Sequence, residues 1–403
     1  MTHPIIIIGA GLAGWTTARE FRKLDASTPV LLITADSGDF YAKPSLSNAF
    51  AQQRVPAQLV STAAAKMAET QNVTLLAQTQ VTAIQPLTHT VNTSQGEFSY
   101  SQLVLATGAQ AIRLPLAGDA ADQVLSINNL DDFSAFHARL TGVGSYENDS
   151  GIVLANPADK HVLIMGAGLI GCEFANDLIA SGYRVSVVDP SAGPMSALLP
   201  LDASTQLRAA LAALGVNWHL GTTVAAVNHA VTESPTLRVE LANGHQIQVD
   251  VVLSAIGLKA DTCLAQAAGL QCERSIVVDA ALQTSAPDIF ALGDGVQYAS
   301  AGNRSLPYVM PIMSAAKALA ATLAGTRTEV VFALMPVAIK TPALPIVVAA
   351  PPPGTPGEWL ATEPGLWLWH FRDAAQQVRG FVLTGRQTFR RAEQSRGVVP
   401  TGT

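Results

Sequence analysis

Two short stretches constrain this chain more than anything else in it. Ile5–Glu20 reads IIIIGAGLAGWTTARE, and His161–Ala175 reads HVLIMGAGLIGCEFA. In each, an apolar run of strand type leads into three glycines at G-x-G-x-x-G spacing and then into a helix-like run. The glycines are Gly9, Gly11 and Gly14 in the first copy, and Gly166, Gly168 and Gly171 in the second. This order is the strand–turn–helix that holds the pyrophosphate of a dinucleotide. The first glycine permits the tight turn, the second lets backbone approach the phosphates, and the third lets the helix pack close to the strand. The helix N-terminus then offers free N–H groups to the anion. Ala10, Leu12 and Ala13 in the first copy, and Leu169 and Ile170 in the second, are therefore candidate contacts. The fold class that follows is α/β, with two Rossmann-like dinucleotide-binding domains. Two dinucleotides in one chain point to electron transfer between them.

A chain of 403 residues has room for two or three domains. Apolar residues make up 49% and charged residues 13%, so a large core is easily filled. A net charge of −6 argues against nucleic acid as a partner. Cys172, Cys263 and Cys272 form no C-x-x-C, and the histidines show no ligand spacing, so neither a disulfide framework nor a metal site is expected. The opening residues lack a basic n-region and read as a first strand rather than a signal peptide. No apolar run reaches membrane-spanning length. A cytoplasmic protein without membrane insertion is the expectation.

Further candidates appear along the chain. The strand Val30–Thr34 ends at Thr34-Ala35 with Asp36 just beyond, so an adenosine ribose would be held by backbone at Thr34 and Ala35 or by Asp36. Lys43 precedes a turn marked by Pro44. Val81 is a candidate backbone contact for an adenine ring. Ala106-Thr107-Gly108 ends a strand in small residues, where backbone can pass close to a cofactor. Asp131–Leu140 reads as helix and Thr141–Asp159 as a turn-rich surface insertion. Glu173 is placed in the first turn of the second glycine helix. The strand Arg184–Val188 ends in Asp189, about twenty residues past the glycines, where a carboxylate bonds ribose hydroxyls and repels a 2′-phosphate; NAD is favoured over NADP. Val251–Gly257 is a second small-residue strand end, closing on Gly257. In Thr284–Asp294, TSAPDIFALGD, a strand leads into Gly293-Asp294, an acid placed to bond a ribitol hydroxyl. Tyr308–Met313 leads into a helix Ser314–Leu323. β-like runs at Val337–Lys340, Pro345–Ala349, Leu366–Phe371 and Val378–Thr384, with a turn-rich Pro351–Glu358, suggest a small α+β C-terminal domain.

ITADSGDFYAKPSLS, GAGLIGCEFANDL, SAIGLKADT, TSAPDIFALGD, YVMPIM and IKTPALP, in this order, resemble the pyridine nucleotide–disulfide reductase superfamily over essentially the whole chain. Within it they are most similar to the rubredoxin–NAD reductases and flavorubredoxin reductases. The resemblance implies an FAD domain (1–117 and 247–325), an inserted NAD domain (118–246) and the C-terminal domain (326–403). It implies FAD contacts at Gly9–Gly14, Thr34-Ala35, Lys43, Val81, Glu173, Asp294, Val309 and Lys340. Pro44, Thr107, Gly108 and Gly293 join this set, and Gly257 joins the NAD set. It further implies that Lys43 and Glu173, the catalytic candidates, meet as an ion pair beside the flavin N5. No cysteine precedes Cys172, and Ser47-Asn48 stand where relatives place a reactive cysteine, so thiol chemistry is absent at the flavin.

The implied reaction carries electrons from NADH through FAD to rubredoxin, a small acidic iron protein, in a pathway such as alkane hydroxylation. A ferredoxin or flavorubredoxin reductase is the alternative within the class, and an NAD(H)-sensing flavoprotein the alternative outside it. A monomer or weak dimer is expected. Arg379, Arg386, Arg390, Arg391 and Arg396 face one acid, Glu393, in the stretch Arg379–Arg396, which makes that stretch a candidate docking face.

Overall fold

Each glycine motif follows the central strand of a five-stranded parallel sheet. In the computed structural model, residues 3–142, 147–148, 151–152, 156–231, 236–362, 365 and 367–399 are described. The first sheet runs Ile289–Ala291, Gln102–Leu105, Ile5–Ile8, Val30–Ile33 and Thr74–Leu76 in spatial order. Ile5 stands opposite both Val30 and Gln102. All four isoleucines of Ile5–Ile8 are buried, as a strand covered on both faces requires. Helix Leu12–Arg22 packs against helix Val309–Leu323. The second sheet repeats the plan with Leu125–Ser126, Val251–Ser254, His161–Met165, Arg184–Asp189 and Asn217–Leu220.

Each unit also carries a three-stranded antiparallel meander, Val81–Gln85 to Gly96–Ser99 in the first and Val224–His229 to Gln246–Val249 in the second. The second unit is inserted into the first, because Ile289–Ala291 returns to the first sheet. The two crossings, Ala109–Ala111 and Leu258–Ala260, pair antiparallel. The C-terminal unit is a five-stranded antiparallel sheet, ordered Val337–Ile339, Ile346–Ala349, Val378–Thr384, Leu368–Arg372, Glu358–Ala361, followed by a short helix Arg391–Gly397.

Three expectations need correction. The second unit does not end at residue 246: Gln246–Val249 completes its meander, and Val251–Ser254 pairs parallel with His161–Met165. A parallel neighbour arrives only after a crossover, so this strand closes the unit instead of opening the next. The helix expected at Ser314 begins at Val309, because Pro311 falls in its first turn, where no N–H is needed. Glu358 opens a strand, Glu358–Ala361, rather than closing a turn region. The expected insertion Thr141–Asp159 lies partly outside the described residues.

Helix Leu169–Ala180 is where the three units meet. On one of its faces, Glu173, Asn176 and Asp177 sit at i, i+3 and i+4 spacing. Glu173 accepts hydrogen bonds from the Ser47 hydroxyl (2.6 Å) and the Lys340 backbone N–H (2.9 Å), and it pairs with the Lys340 ammonium. Asn176 accepts from the Ala343 N–H (3.0 Å). Asp177 accepts from the N–H groups of Phe50 (3.0 Å) and Ala51 (2.9 Å). An apolar cluster beneath joins Leu46 and Phe50 to Phe174 and to Ile339, Leu344 and Trp369.

Burial pushes the Asp177 carboxyl up to about 6 from its ordinary 3.8, against the pull of the Ala51 and Phe50 N–H groups and of Lys340. Its pKa is higher in the folded protein than in the unfolded chain. The stabilisation it gives is therefore complete below about pH 4 and lost as pH rises through about 6. Two pKa units correspond to about 3 kcal/mol. Urea unfolding should show wild type losing about 2–3 kcal/mol relative to Asp177→Asn between pH 4 and pH 7. A pH-independent difference between the two proteins would contradict this.

Candidate functional site

Both glycine turns open into one connected cavity of about 2480 Å³. The glycines in each turn have separate physical reasons. Gly9 has φ +108°, and a Cβ there would lie 2.3 Å from the Ala106 carbonyl oxygen; one on Gly14 would lie 1.9 Å from the Gly9 oxygen. Gly166 and Gly171 repeat this, with distances of 2.7 Å to the Ala255 oxygen and 2.0 Å to the Gly166 oxygen. A Cβ on Gly11 or Gly168 would meet nothing within 4 Å. Packing explains the outer glycines, whereas the middle ones face open cavity. Helices Leu12–Arg22 and Leu169–Ala180 carry no side-chain cap and no acid in the first turn. Their first N–H groups and dipoles are left for an anion. Each turn thus fits a pyrophosphate.

Ala10, Leu12, Ala13, Thr34, Ala35, Pro44, Val81, Thr107, Gly108, Gly293 and Val309 line the cavity on the side of the first turn. Leu169, Ile170, Asp189 and Gly257 line it on the side of the second. Gly14 and Gly171 are not part of the lining; they sit where helix meets strand. The Thr34 hydroxyl donates to Asp36 Oδ1 (2.7 Å), which also accepts from the Gly38 N–H (2.9 Å). They form one corner of the lining.

Asp189 Oδ2 accepts from the Ala167 N–H (2.7 Å) and Oδ1 from the Ser191 N–H (2.8 Å), so the carboxylate braces the second glycine turn while facing the cavity. Asp294 also faces it. Burial pushes the Asp294 pKa up and Lys43 pulls it down. Among the described residues Asp294 has no hydrogen-bond donor from the protein. A half-buried carboxylate of this kind suits a hydroxyl-bearing ligand, since without a donor its burial is costly.

The expected Lys43–Glu173 ion pair does not form. Lys43 Nζ donates to Asn128 Oδ1 at 2.6 Å. Burial lowers the Lys43 pKa, while Asp294 and Asp132 raise it. Glu173 instead holds Lys340, whose Nζ also donates to the Ser47 hydroxyl (3.0 Å). Glu173 lies beyond the first turn of its helix, on the face that meets the C-terminal unit. That position brings Lys340 to it. Sequence reasoning missed Asn128 and Ser47 as partners, because these contacts span 85 and 126 residues and no local spacing encodes them.

Cys172 is buried and donates to the Ala167 carbonyl (3.3 Å); burial pushes its thiol pKa far up, with Asp189 and Glu173 adding to the effect. It is no nucleophile. Among the described residues there is no cluster of three metal-ligating groups, and no helix is long and apolar enough to cross a membrane. In the basic stretch, Arg379 bonds Asp373 (2.7 Å) and Arg390 bonds Glu393 (3.1 Å). Arg386, Arg391 and Arg396 are exposed, as is Phe389 at 79%.

Residues 3–321 match the pyridine nucleotide-disulphide oxidoreductase family. The chain belongs to that family. Residues 329–396 match the rubredoxin binding C-terminal domain. This family member is similar to the rubredoxin-NAD(+) reductase of Alcanivorax borkumensis, with 42% identity over 384 residues, 95% of each chain. It is also similar to the nitric oxide reductase FlRd-NAD(+) reductase of Aeromonas salmonicida, with 39% identity over 96% of this chain and 94% of that protein. The putidaredoxin reductase–putidaredoxin complex shares the fold, with a TM-score of 0.83 at 24% identity over 97% of this chain and 92% of that one.

The glycine geometry predicts a split between two single-methyl variants. Gly14→Ala should destabilise the protein by about 1–3 kcal/mol, because the helix must move off its strand. Gly11→Ala should leave urea stability within about 1 kcal/mol and release bound dinucleotide. Full dinucleotide content in purified Gly11→Ala would refute the reading of the first cradle.

Proposed function

We propose that the chain is an FAD-dependent reductase that takes electrons from NADH and passes them to rubredoxin. The observation that carries this reading is the joining of a two-cradle body to a rubredoxin binding C-terminal domain. FAD supplies the chemistry when bound, accepting two electrons together and releasing them singly. The residues of this chain bind, orient and set charge.

In this reading the first cradle, Gly9–Ala13, holds the FAD pyrophosphate through the N-terminus of helix Leu12–Arg22. Gly14 keeps that helix against the sheet. The Thr34-Ala35-Asp36 corner holds the adenosine ribose, Val81 the adenine and Asp294 a ribitol hydroxyl. Thr107, Gly108, Gly293, Pro44 and Val309 shape the walls. Lys43 turns an ammonium to the cavity, and Glu173 fixes Lys340 at its wall; these are the groups we assign to the flavin ring. The second cradle, Gly166, Gly168, Leu169, Ile170 and Gly257, holds the NADH pyrophosphate, with Gly171 packing its helix. Asp189 rejects a 2′-phosphate by charge. We assign the protein to the cytoplasm, as a monomer or weak dimer, and place it in electron supply to a pathway such as alkane hydroxylation.

The exposed Arg386, Arg391 and Arg396 support docking of an acidic partner on the C-terminal unit. Such charges raise the on-rate more than the affinity, and screening over about 8 Å at physiological salt makes the effect salt-sensitive. With FAD-loaded protein, NADH should drive cytochrome c reduction only when rubredoxin is added, and NADPH should serve poorly. Arg386→Glu/Arg391→Glu should flatten the salt dependence of rubredoxin reduction and leave NADH-to-flavin reduction unchanged. Transfer to ferredoxin or flavorubredoxin but not to rubredoxin would replace the partner. Identical salt slopes would remove the arginines from the docking face.

A further inference from the structure

Lys43 gives its hydrogen bond to an amide, not to a carboxylate. Nζ donates to Asn128 Oδ1 at 2.6 Å. Asn128 Nδ2 donates to the Ala109 carbonyl at 2.7 Å, and the Asn128 backbone N–H donates to Asp132 Oδ2 at 2.9 Å. Lys43, Asn128 and Ala109 all line the cavity. An amide has one acceptor oxygen, and the bond to Ala109 fixes which way the group faces. The oxygen is thereby directed to Lys43.

The chemistry of this arrangement is specific. A neutral amide restrains a cation without cancelling its charge, whereas a carboxylate at the same place would form an ion pair. Asp294 and Asp132 attract Lys43 through space but make no hydrogen bond to it. Asn128 lies between strand Leu125–Ser126 of the second unit and helix Leu130–Thr141, while Lys43 and Ala109 flank the first unit's side of the cavity. The orientation of Lys43 therefore depends on how the two units are set against each other.

We propose that Asn128 is the positioning residue for Lys43: it holds the ammonium at the cavity wall with its charge intact and couples that position to the junction of the two dinucleotide units. The inference rests on the NADH-to-FAD reading above. It deepens that reading by naming the group that aims its cation.

The test is a double-mutant cycle on the FAD-loaded protein, with wild type, Asn128→Ala, Lys43→Met and the double variant. Two quantities are measured: the flavin midpoint potential against a chemical reductant, and the rate of flavin reduction by saturating NADH. Asn128→Ala should slow reduction about tenfold, as misplacement of a reacting group does. The NADH concentration for half-saturation should stay within about twofold, since binding is not what is lost. The potential should move in the same direction as in Lys43→Met. In the Lys43→Met background, Asn128→Ala should change neither quantity.

Asn128→Asp, nearly isosteric, keeps the experiment readable should the alanine variant fold poorly. It should move the potential further negative than Asn128→Ala, because a carboxylate cancels the ammonium. Equal effects of Asn128→Ala with and without Lys43, or a wild-type potential in Asn128→Asp, would overturn the proposal. The potential is set without NADH. A protein that NADH fails to reduce would therefore sink the donor assignment separately from the role of Asn128.

Discussion

Glu173 is only 1% exposed, and among the described residues the partners of its carboxylate all come from other units. Ser47 comes from the first dinucleotide unit, and Lys340 comes from the C-terminal unit with both its ammonium and its backbone N–H. A buried charge with one partner removed costs about 3–5 kcal/mol, so the junction resists separation of any one unit from the other two. Asn176 and Asp177, on the same helix face, extend the hold to Ala343 and to Phe50 and Ala51. The cavity shared by the two cradles exists only while the units keep this arrangement, since its lining is drawn from all three.

The cradles and the cations use different physics. The cradles are made of backbone: uncapped helix ends, and middle glycines with open space where a Cβ would stand. Such sites tolerate side-chain change around them. The two lysines depend on side chains from distant segments and are treated differently. Lys340 is paired with a charge, while Lys43 is held by a neutral amide. One lysine is thus tied to the junction, and the other is held by an amide at the cavity wall.

What the sequence revealed followed the range of the interactions. Both cradles, the strand ends at Thr107-Gly108 and Asp294, and Asp189 were legible because strand, turn and helix are set by neighbours along the chain. The sequence points Asp189 at a ribose; what the structure shows is that its carboxylate braces Ala167 and Ser191. The partners of Lys43 and Glu173 were not legible, since they are chosen by how three units dock. The resemblance paired the two residues with each other; the docking gives Asn128 to one and Lys340 to the other. The unit boundary failed for a related reason. Val251–Ser254 shows its membership only through its pairing with His161–Met165, which sequence pattern does not reveal.

The central claim is that one buried carboxylate sets the mutual placement of the three units. Hydrogen exchange of wild type and Glu173→Ala tests it most directly. The account predicts faster exchange at Lys340, in Lys43–Asn48 and in residues 341–344, with strands Ile5–Ile8 and His161–Met165 as protected as before. Unchanged exchange in Lys43–Asn48, or an equal loss of protection across all of these segments, would contradict it.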